Sequence, residues 1–231
     1  LFFIIVFFEF LLKISFKRNI YNAEPFFYSF RGIDLFEYTV LDLETTGLSR
    51  ERHKITEIAA LKYDFSGNLL EEFHSLVNPE CRIPSFITRL TGITDEMVQD
   101  SPKIHEILPD FVNFLGDSVI VAHNATFDYG FLNHNSCKHL EKPLNNSCLC
   151  TRRLASRILY DLPSKKLSVI CEYFDIVNTQ AHRAMADTVA TSKIFTSFRK
   201  TLSDINLNNK EELLKFQTIP IARSQKLLNG C

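Results

Sequence analysis

Four carboxylates and one imidazole stand where they could share a single site: Asp42 and Glu44, then Asp128, then Asp187 with His182 five residues before it. The first pair closes the apolar run Tyr38-Thr-Val-Leu-Asp-Leu-Glu-Thr-Thr-Gly47, which reads as a strand turning polar at its end. Side chains alternate along a strand, so Asp42 and Glu44 share one face. Carboxylate oxygens are the preferred ligands of magnesium and manganese, and crowded carboxylates without a cation repel one another and raise their own pKa values. A divalent metal is the natural reason to gather them.

The elements that must position these residues can be read from the same chain. Residues 36–43, 54–65 and 69–77 predict three consecutive strands, the second and third joined by a tight turn at Ser66-Gly67-Asn68. Prolines at 79, 84 and 102 punctuate the next stretch, which predicts helices over 85–90, 94–99 and 103–115. Residues 118–122 form a short apolar strand that runs into His123 and Asn124. Asn124 is placed to cap a helix burying Phe127, Phe131 and Leu132, with Asp128 near the helix start, where the positive end of the helix favours an anion. A fifth strand over 146–150 and helices near 151–159, 165–175 and 183–199 complete a mixed α/β sheet. Asp187 shares a helical face with Ala184, Ala190 and Ile194. His182 lies about 140° round from Asp187 by helical continuation, so it reaches the same site only from the loop before that helix.

Length and charge bound the rest. A chain of 231 residues with 45% hydrophobic content supports one ample core, divided here into an N-terminal extension over 1–30, a catalytic domain over 36–199 and a tail over 200–231. A formal net charge of −1 argues against a broad basic surface that grips long duplexes, and leaves local handling of a strand end open. The six cysteines show no disulfide spacing, which points to a reducing, cytoplasmic compartment. The first sixteen residues hold six phenylalanines, but the run is short for a bilayer crossing, is interrupted by Glu9, and carries Lys17 and Arg18 after the apolar stretch rather than before it. A membrane anchor is therefore not the expected reading, and a remnant of a longer reading frame or an artefact of start-site choice is.

Other chemistry-bearing residues have plainer readings. His134, Cys137, His139, Cys148 and Cys150 are of zinc-binding types but lack paired ligands around a knuckle, and alternate cysteines in a strand are ordinarily buried apolar residues. The basic pairs Arg152-Arg153 and Lys165-Lys166 suit either phosphates or a solvated helix face. The tail carries a brief amphipathic stretch, 210–216, and Gln225-Lys-Leu-Leu228, a weak echo of a clamp-binding peptide; a docking or capping role fits it equally.

Three segments together resemble the DEDDh 3′–5′ exonucleases: Leu41-Asp-Leu-Glu-Thr-Thr-Gly47, Ala122-His-Asn-Ala-Thr-Phe-Asp128 and His182-Arg-Ala-Met-Ala-Asp187. Lys54-Ile-Thr-Glu-Ile58 and Leu90-Thr-Gly-Ile-Thr94 add to the likeness, which covers roughly residues 36–199 and is greatest toward the proofreading epsilon subunits of bacterial DNA polymerase III. The resemblance implies a ribonuclease H-like fold, an α/β architecture with a five-stranded mixed sheet flanked by helices. It implies two divalent cations, Mg2+ or Mn2+, with Asp42 bridging them, Glu44 and Asp187 completing one site, and Asp128 serving the other. His182 is then the general base, since a free imidazole titrates near 6.5 and is available to take a proton at neutral pH. Thr45 is implied to offer its backbone N–H to the terminal 3′ hydroxyl, with Ile93 and Phe127 lining the pocket for the last bases, although Phe127 is by pattern first a core residue. The implied partners are nucleic-acid 3′ ends and a DNA polymerase subunit; nothing in the sequence assigns an oligomeric state. The expected reaction is hydrolysis of DNA ends to nucleoside 5′-monophosphates in proofreading or repair. Trimming of RNA 3′ ends uses the same site chemistry, and a silent polymerase-associated subunit is the reading of another class, against which the complete set of five residues argues.

Overall fold

The computed structural model describes residues 36–230, so the phenylalanine-rich extension lies outside the described residues. Five strands form one sheet in the order β3-β2-β1-β4-β5. The central strand β1, Tyr38–Thr45, pairs antiparallel with β2, Ile55–Tyr63, which pairs antiparallel with β3, Leu69–Leu76. On its other side β1 runs parallel to β4, Val119–Ala122, and β4 runs parallel to β5, Cys148–Cys150. The sheet is mixed and five-stranded, as the sequence and the resemblance lead one to expect. The β2–β3 turn is held by Asp64, whose carboxylate accepts from Asn68 N and Nδ2, both at 2.8 Å, while Gly67 takes the positive φ the tight turn requires.

Helices follow in the predicted order: α1, Ser85–Thr91; α2, Asp95–Val98; α3, Ile104–Leu115; α4, Ala125–His139; α5, Thr151–Ile158; α6, Leu167–Tyr173; and α7, Ala184–Ser203. Two more, α8 over Lys210–Phe216 and α9 over Ile221–Leu228, form from the tail. The alternation of β1 divides the interior. Tyr38 and Val40 pack into one apolar cluster with Ile194, Phe195 and Phe198 of α7, while Leu41 packs on the other side with Phe111 of α3 and Phe131 of α4. The sheet is thus covered on both faces, which is why β2 is buried along most of its length rather than at alternate residues. Ile83, Ile87, Ile93 and Val98 form a smaller cluster around α1 and α2.

The tail packs on the same core. Leu213 and Phe216 of α8 are buried among the α7-side residues, and Arg157 Nε donates to Ile219 O at 2.8 Å. Gln217 stands where a sixth strand would lie: its Oε1 accepts from Cys150 N at 2.9 Å and its Nε2 donates to Cys148 O at 2.8 Å. One side chain thereby satisfies the outer backbone groups of β5, an edge that would otherwise be left unpaired. Among the described residues, no helix is long and apolar enough to cross a membrane.

Phe216 tests how far the tail belongs to the fold. Truncating a fully buried phenylalanine removes its transfer energy and leaves a cavity, so Phe216→Ala is expected to lower the unfolding free energy by about 3–5 kcal/mol in urea titrations. A loss under about 0.5 kcal/mol, as for a surface substitution, would mean that α8 is an appendage.

Candidate active site

The site begins where the apolar face of β1 ends. Tyr38 and Val40 lie in the core, and the next two residues on their face are Asp42 and Glu44, the two part-exposed positions of the strand. At the end of β1 the pairing with β2 skips a residue between Glu44 and Thr45, a bulge of the kind that re-aims side chains beside functional sites. Helix α7 covers this face, lying close because small residues such as Ala184 and Thr188 meet the sheet; Thr188 Oγ1 donates to Ala59 O at 3.3 Å. Its first turn carries Asp187, which is thereby brought to the two β1 carboxylates.

Asp128 arrives from α4. Strand β4 accompanies β1 only as far as Val40, and beyond that point the Leu43 N–H donates to Asp128 Oδ1 at 3.3 Å. Asp128 sits in the first turn of α4, as its sequence position predicts, and is 2% exposed. Asn124 occupies the N-cap position but makes no side-chain cap bond. Its backbone is left-handed, with φ 79°, whereas a capping side chain reaches the helix N–H groups from an extended backbone.

His182 comes from the loop before α7, the route required by helical geometry. Its own φ is 65°, a left-handed turn uncommon outside glycine and asparagine. That turn directs its backbone N–H to Asp187 Oδ2 at 3.0 Å and its exposed ring to the cluster. Ligand atoms of Glu44, His182 and Asp187 all lie within 4.8 Å of one another, and among the described residues this is the one group of three or more such side chains close enough to hold a metal. The histidines and cysteines weighed as a zinc site form no such group.

Two positioning residues were not assigned this role from sequence. Asn178 donates to Asp187 Oδ1 at 2.6 Å, fixing the oxygen that His182 does not hold. Glu57 of β2, the register partner of Glu44, is fully buried and gathers Arg183 Nε at 3.2 Å, Arg183 Nη2 at 3.0 Å, Ala184 N at 3.0 Å and His74 Nε2 at 2.8 Å. It clamps the first residues of α7 to the sheet, so the placement of both His182 and Asp187 depends on it. Burial opposes the Glu57 charge, but Arg183, His74 and the Ala184 N–H outweigh burial and hold the carboxyl below its ordinary range. The glutamate within Lys54-Ile-Thr-Glu-Ile58 was the visible signal; its partners were not.

The other carboxylates behave in the opposite way. Burial, and then the charges of Asp128, Glu44 and Asp187, push Asp42 well above the usual carboxylate range. Burial and the charges of Asp187, Glu57 and Asp128 raise Glu44 to about 8, burial raises Asp128 to about 7, and burial raises Asp187 despite its hydrogen bonds. Four such oxygen donors, each made uncomfortable as an anion by its surroundings, suit hard divalent cations.

The expected substrate contacts are placed unequally. Thr45 is buried and its hydroxyl donates to Gly47 O at 2.7 Å, so its side chain holds the turn after β1. Phe127 is half-buried against Phe131, with ring centroids 4.9 Å apart, and lines a small cavity with the exposed Leu48. Ile93 is fully buried in the cluster around α1 and α2, behind any surface that a base would meet. Its apolar, flanking-motif position did not distinguish a pocket wall from the packing behind it.

Comparison with known proteins adds the following. Residues 39–195 match the family model described as Exonuclease. DNA polymerase III PolC-type of Caldanaerobacter subterraneus is 39% identical over 177 residues, and that of Bacillus subtilis is 38% identical over 177 residues; the matched regions cover 77% and 76% of this chain. The match spans 12% of the length of either relative. Among solved structures, Exonuclease X in complex with 5′ overhanging duplex DNA is similar at TM-score 0.60 and 25% identity, covering 76% of this chain and 99% of that one. E. coli Exonuclease I in complex with a dT13 oligonucleotide shares the fold at TM-score 0.67 and 18% identity, over 78% of this chain and 46% of that one.

The electrostatics set a pH dependence. Between the unfolded carboxylate pKa near 4 and the raised folded values, about 7 for Asp128 and about 8 for Glu44, the folded chain binds more protons than the unfolded one. Stability from these groups is therefore full at low pH and is lost as pH rises through that window. In EDTA the melting temperature is expected to be higher at pH 5.5 than at pH 8, and a divalent cation is expected to raise it more at pH 8; the reverse order would overturn this account. Glu57→Gln breaks a buried ion pair and is expected to cost about 3–5 kcal/mol in urea unfolding.

Proposed function

The chain belongs to the exonuclease family, and from that premise we propose that it is a metal-dependent 3′–5′ exonuclease releasing nucleoside 5′-monophosphates from single-stranded or frayed DNA ends, in proofreading or repair. The observation that carries the reading is the convergence of Asp42, Glu44, Asp128 and Asp187 at one end of β1 with His182 beside them. The PolC-type relatives support a polymerase setting, and the DNA complex of Exonuclease X supports DNA as the polymer. We assign the catalysis to residues 36–199, with 200–230 as a C-terminal part packed on the same core.

Asp42, Glu44, Asp128 and Asp187 would hold two divalent cations, Mg2+ or Mn2+. Bound there, they supply Lewis-acid stabilisation of the attacking and leaving oxygens and make water more acidic. The remaining work falls to the chain. Glu44 and Asp187 fix the position of the attacking water, and the exposed His182 ring, next to both, accepts its proton. Its loop origin leaves the ring open to solvent, so the proton has a way out. Asn178 and the His182 backbone N–H hold Asp187 through both oxygens, so that this carboxylate presents a fixed face to the reaction. The Thr45 backbone N–H receives the terminal 3′ hydroxyl, and Phe127 with Leu48 offers an apolar surface on which any base can stack.

His182→Ala is expected to lower kcat by about 10²–10⁴-fold on a single-stranded oligonucleotide, and Asp187→Ala to abolish magnesium-dependent release of nucleoside monophosphates with the fold retained by circular dichroism. Wild-type release from Asp187→Ala would overturn the mechanism. Digestion of a 5′-labelled oligonucleotide should give a ladder shortening from the 3′ end; release of the label as a mononucleotide at the outset would reverse the polarity.

A further inference from the structure

A cleft of about 740 Å³ is lined both by His182 and Asp187 of the catalytic cluster, with Asn178, and by Arg152, Lys165 and Lys166. The three cations come from two separate segments, Arg152 from the first turn of α5 and the lysines from the loop before α6. Arg152 and Lys166 are exposed, and neither has an ion-pair partner or a side-chain hydrogen bond among the described residues. Lys165 Nζ turns back onto Leu162 O. Besides Asp187, Glu172 is the acidic residue lining the cleft. A chain with a net charge of −1 has no general excess of cations to scatter, so this convergence is local.

The wall is also fixed from behind. His123, at the end of β4, bonds Thr151 Oγ1 through Nδ1 at 2.9 Å and Lys165 O through Nε2 at 2.9 Å, joining the start of α5 to the lysine loop. A carbonyl only accepts, so Nε2 carries the proton and Nδ1 accepts from the Thr151 hydroxyl. That bond is favoured over the 3.4 Å alternative from the same hydroxyl to Ala122 O. Burial, with Arg152 nearby, pushes the imidazole down to about 4, so it acts as an uncharged strut and adds no repulsion to the cations it holds. A solvated helix face needs no such buried tie between two elements.

We propose that Arg152 and Lys166, on a helix start and a loop joined by His123, bind the phosphodiester backbone of the single strand on the 5′ side of the scissile bond. This rests on the exonuclease reading above. Two surfaces beside the site differ as the two parts of the substrate do: Leu48 and Phe127 offer apolar surface to the terminal base, and the basic cleft offers unpaired cations to the anionic strand that remains after each cut. Backbone contacts of this kind carry no sequence information, which suits removal of any nucleotide.

The full chain and the double variant Arg152→Ala/Lys166→Ala test this in two measurements. Fluorescence anisotropy with labelled (dT)10 in EDTA gives the slope of log affinity against log salt. Each lost phosphate contact on a single strand changes that slope by about 0.7, so the variant is expected to be shallower by about 1.4. The ratio of kcat/KM on (dT)10 to that on a dinucleotide should fall about tenfold, because the dinucleotide does not reach the wall. An unchanged slope with an unchanged ratio would make the pair a solvated face and overturn the proposal. If the unsubstituted chain cleaves neither substrate, the nuclease reading fails, while the binding slope still decides whether the wall holds a strand.

Discussion

Four carboxylates cannot be buried together and all remain charged, and that repulsion is the constraint around which the rest of the chain is arranged. Asp42, Glu44, Asp128 and Asp187 each sit where burial disfavours the anion, and Asp42 and Glu44 are raised further by the charges of the others. Left to itself, such a cluster would spread apart. It is held by groups that pull in single definite directions: the Leu43 N–H on Asp128, and Asn178 with the His182 N–H on Asp187. Beneath them Glu57 shows the contrasting case. It is fully buried, yet four donors surround it, so it keeps its charge and ties α7 to the sheet. One acid is fully compensated from within the protein; its four neighbours are left for a cation from outside.

The sheet topology makes this arrangement economical. β1 is flanked by an antiparallel partner that accompanies it to its end and a parallel partner that stops short, and the difference creates both halves of the site. On the long side β2 supplies Glu57 and, through the bulge, the turn of the chain into Thr45. On the short side the absence of β4 beyond Ala122 exposes backbone N–H groups that α4 then meets with Asp128. The same ending of β4 places His123 where it links α5 to the lysine loop. Strand lengths, more than any loop, decide where chemistry can occur.

Much of this was legible in the residues. Period-two spacing put Asp42 and Glu44 on one face, and the 100° helical step demanded that His182 come from a loop, because local geometry is fixed by covalent spacing. What was not legible depends on contacts between distant segments. Asn178 carries no pattern that marks it as the partner of Asp187, and Glu57 stood only within Lys54-Ile-Thr-Glu-Ile58, with no partner marked, until Arg183, 126 positions away, closed on it. Asn124 has the composition of a helix cap, but its left-handed backbone carries the turn from β4 into α4 instead. Ile93 shows the limit from the other side: an apolar residue beside a motif can belong to a pocket or to what lies beneath it, and burial decides which.

Gln217 has a consequence for growth of the sheet. By occupying the outer N–H of Cys150 and the outer C=O of Cys148 it serves β5 as a one-residue counterfeit strand, and an incoming chain finds nothing there to pair with. The opposite border, β3, has no such stopper among the described residues and presents Leu69 and Leu70 to solvent. The sheet is therefore polar in its capacity for extension: closed at the border nearest the basic cleft, and open at the border farthest from it.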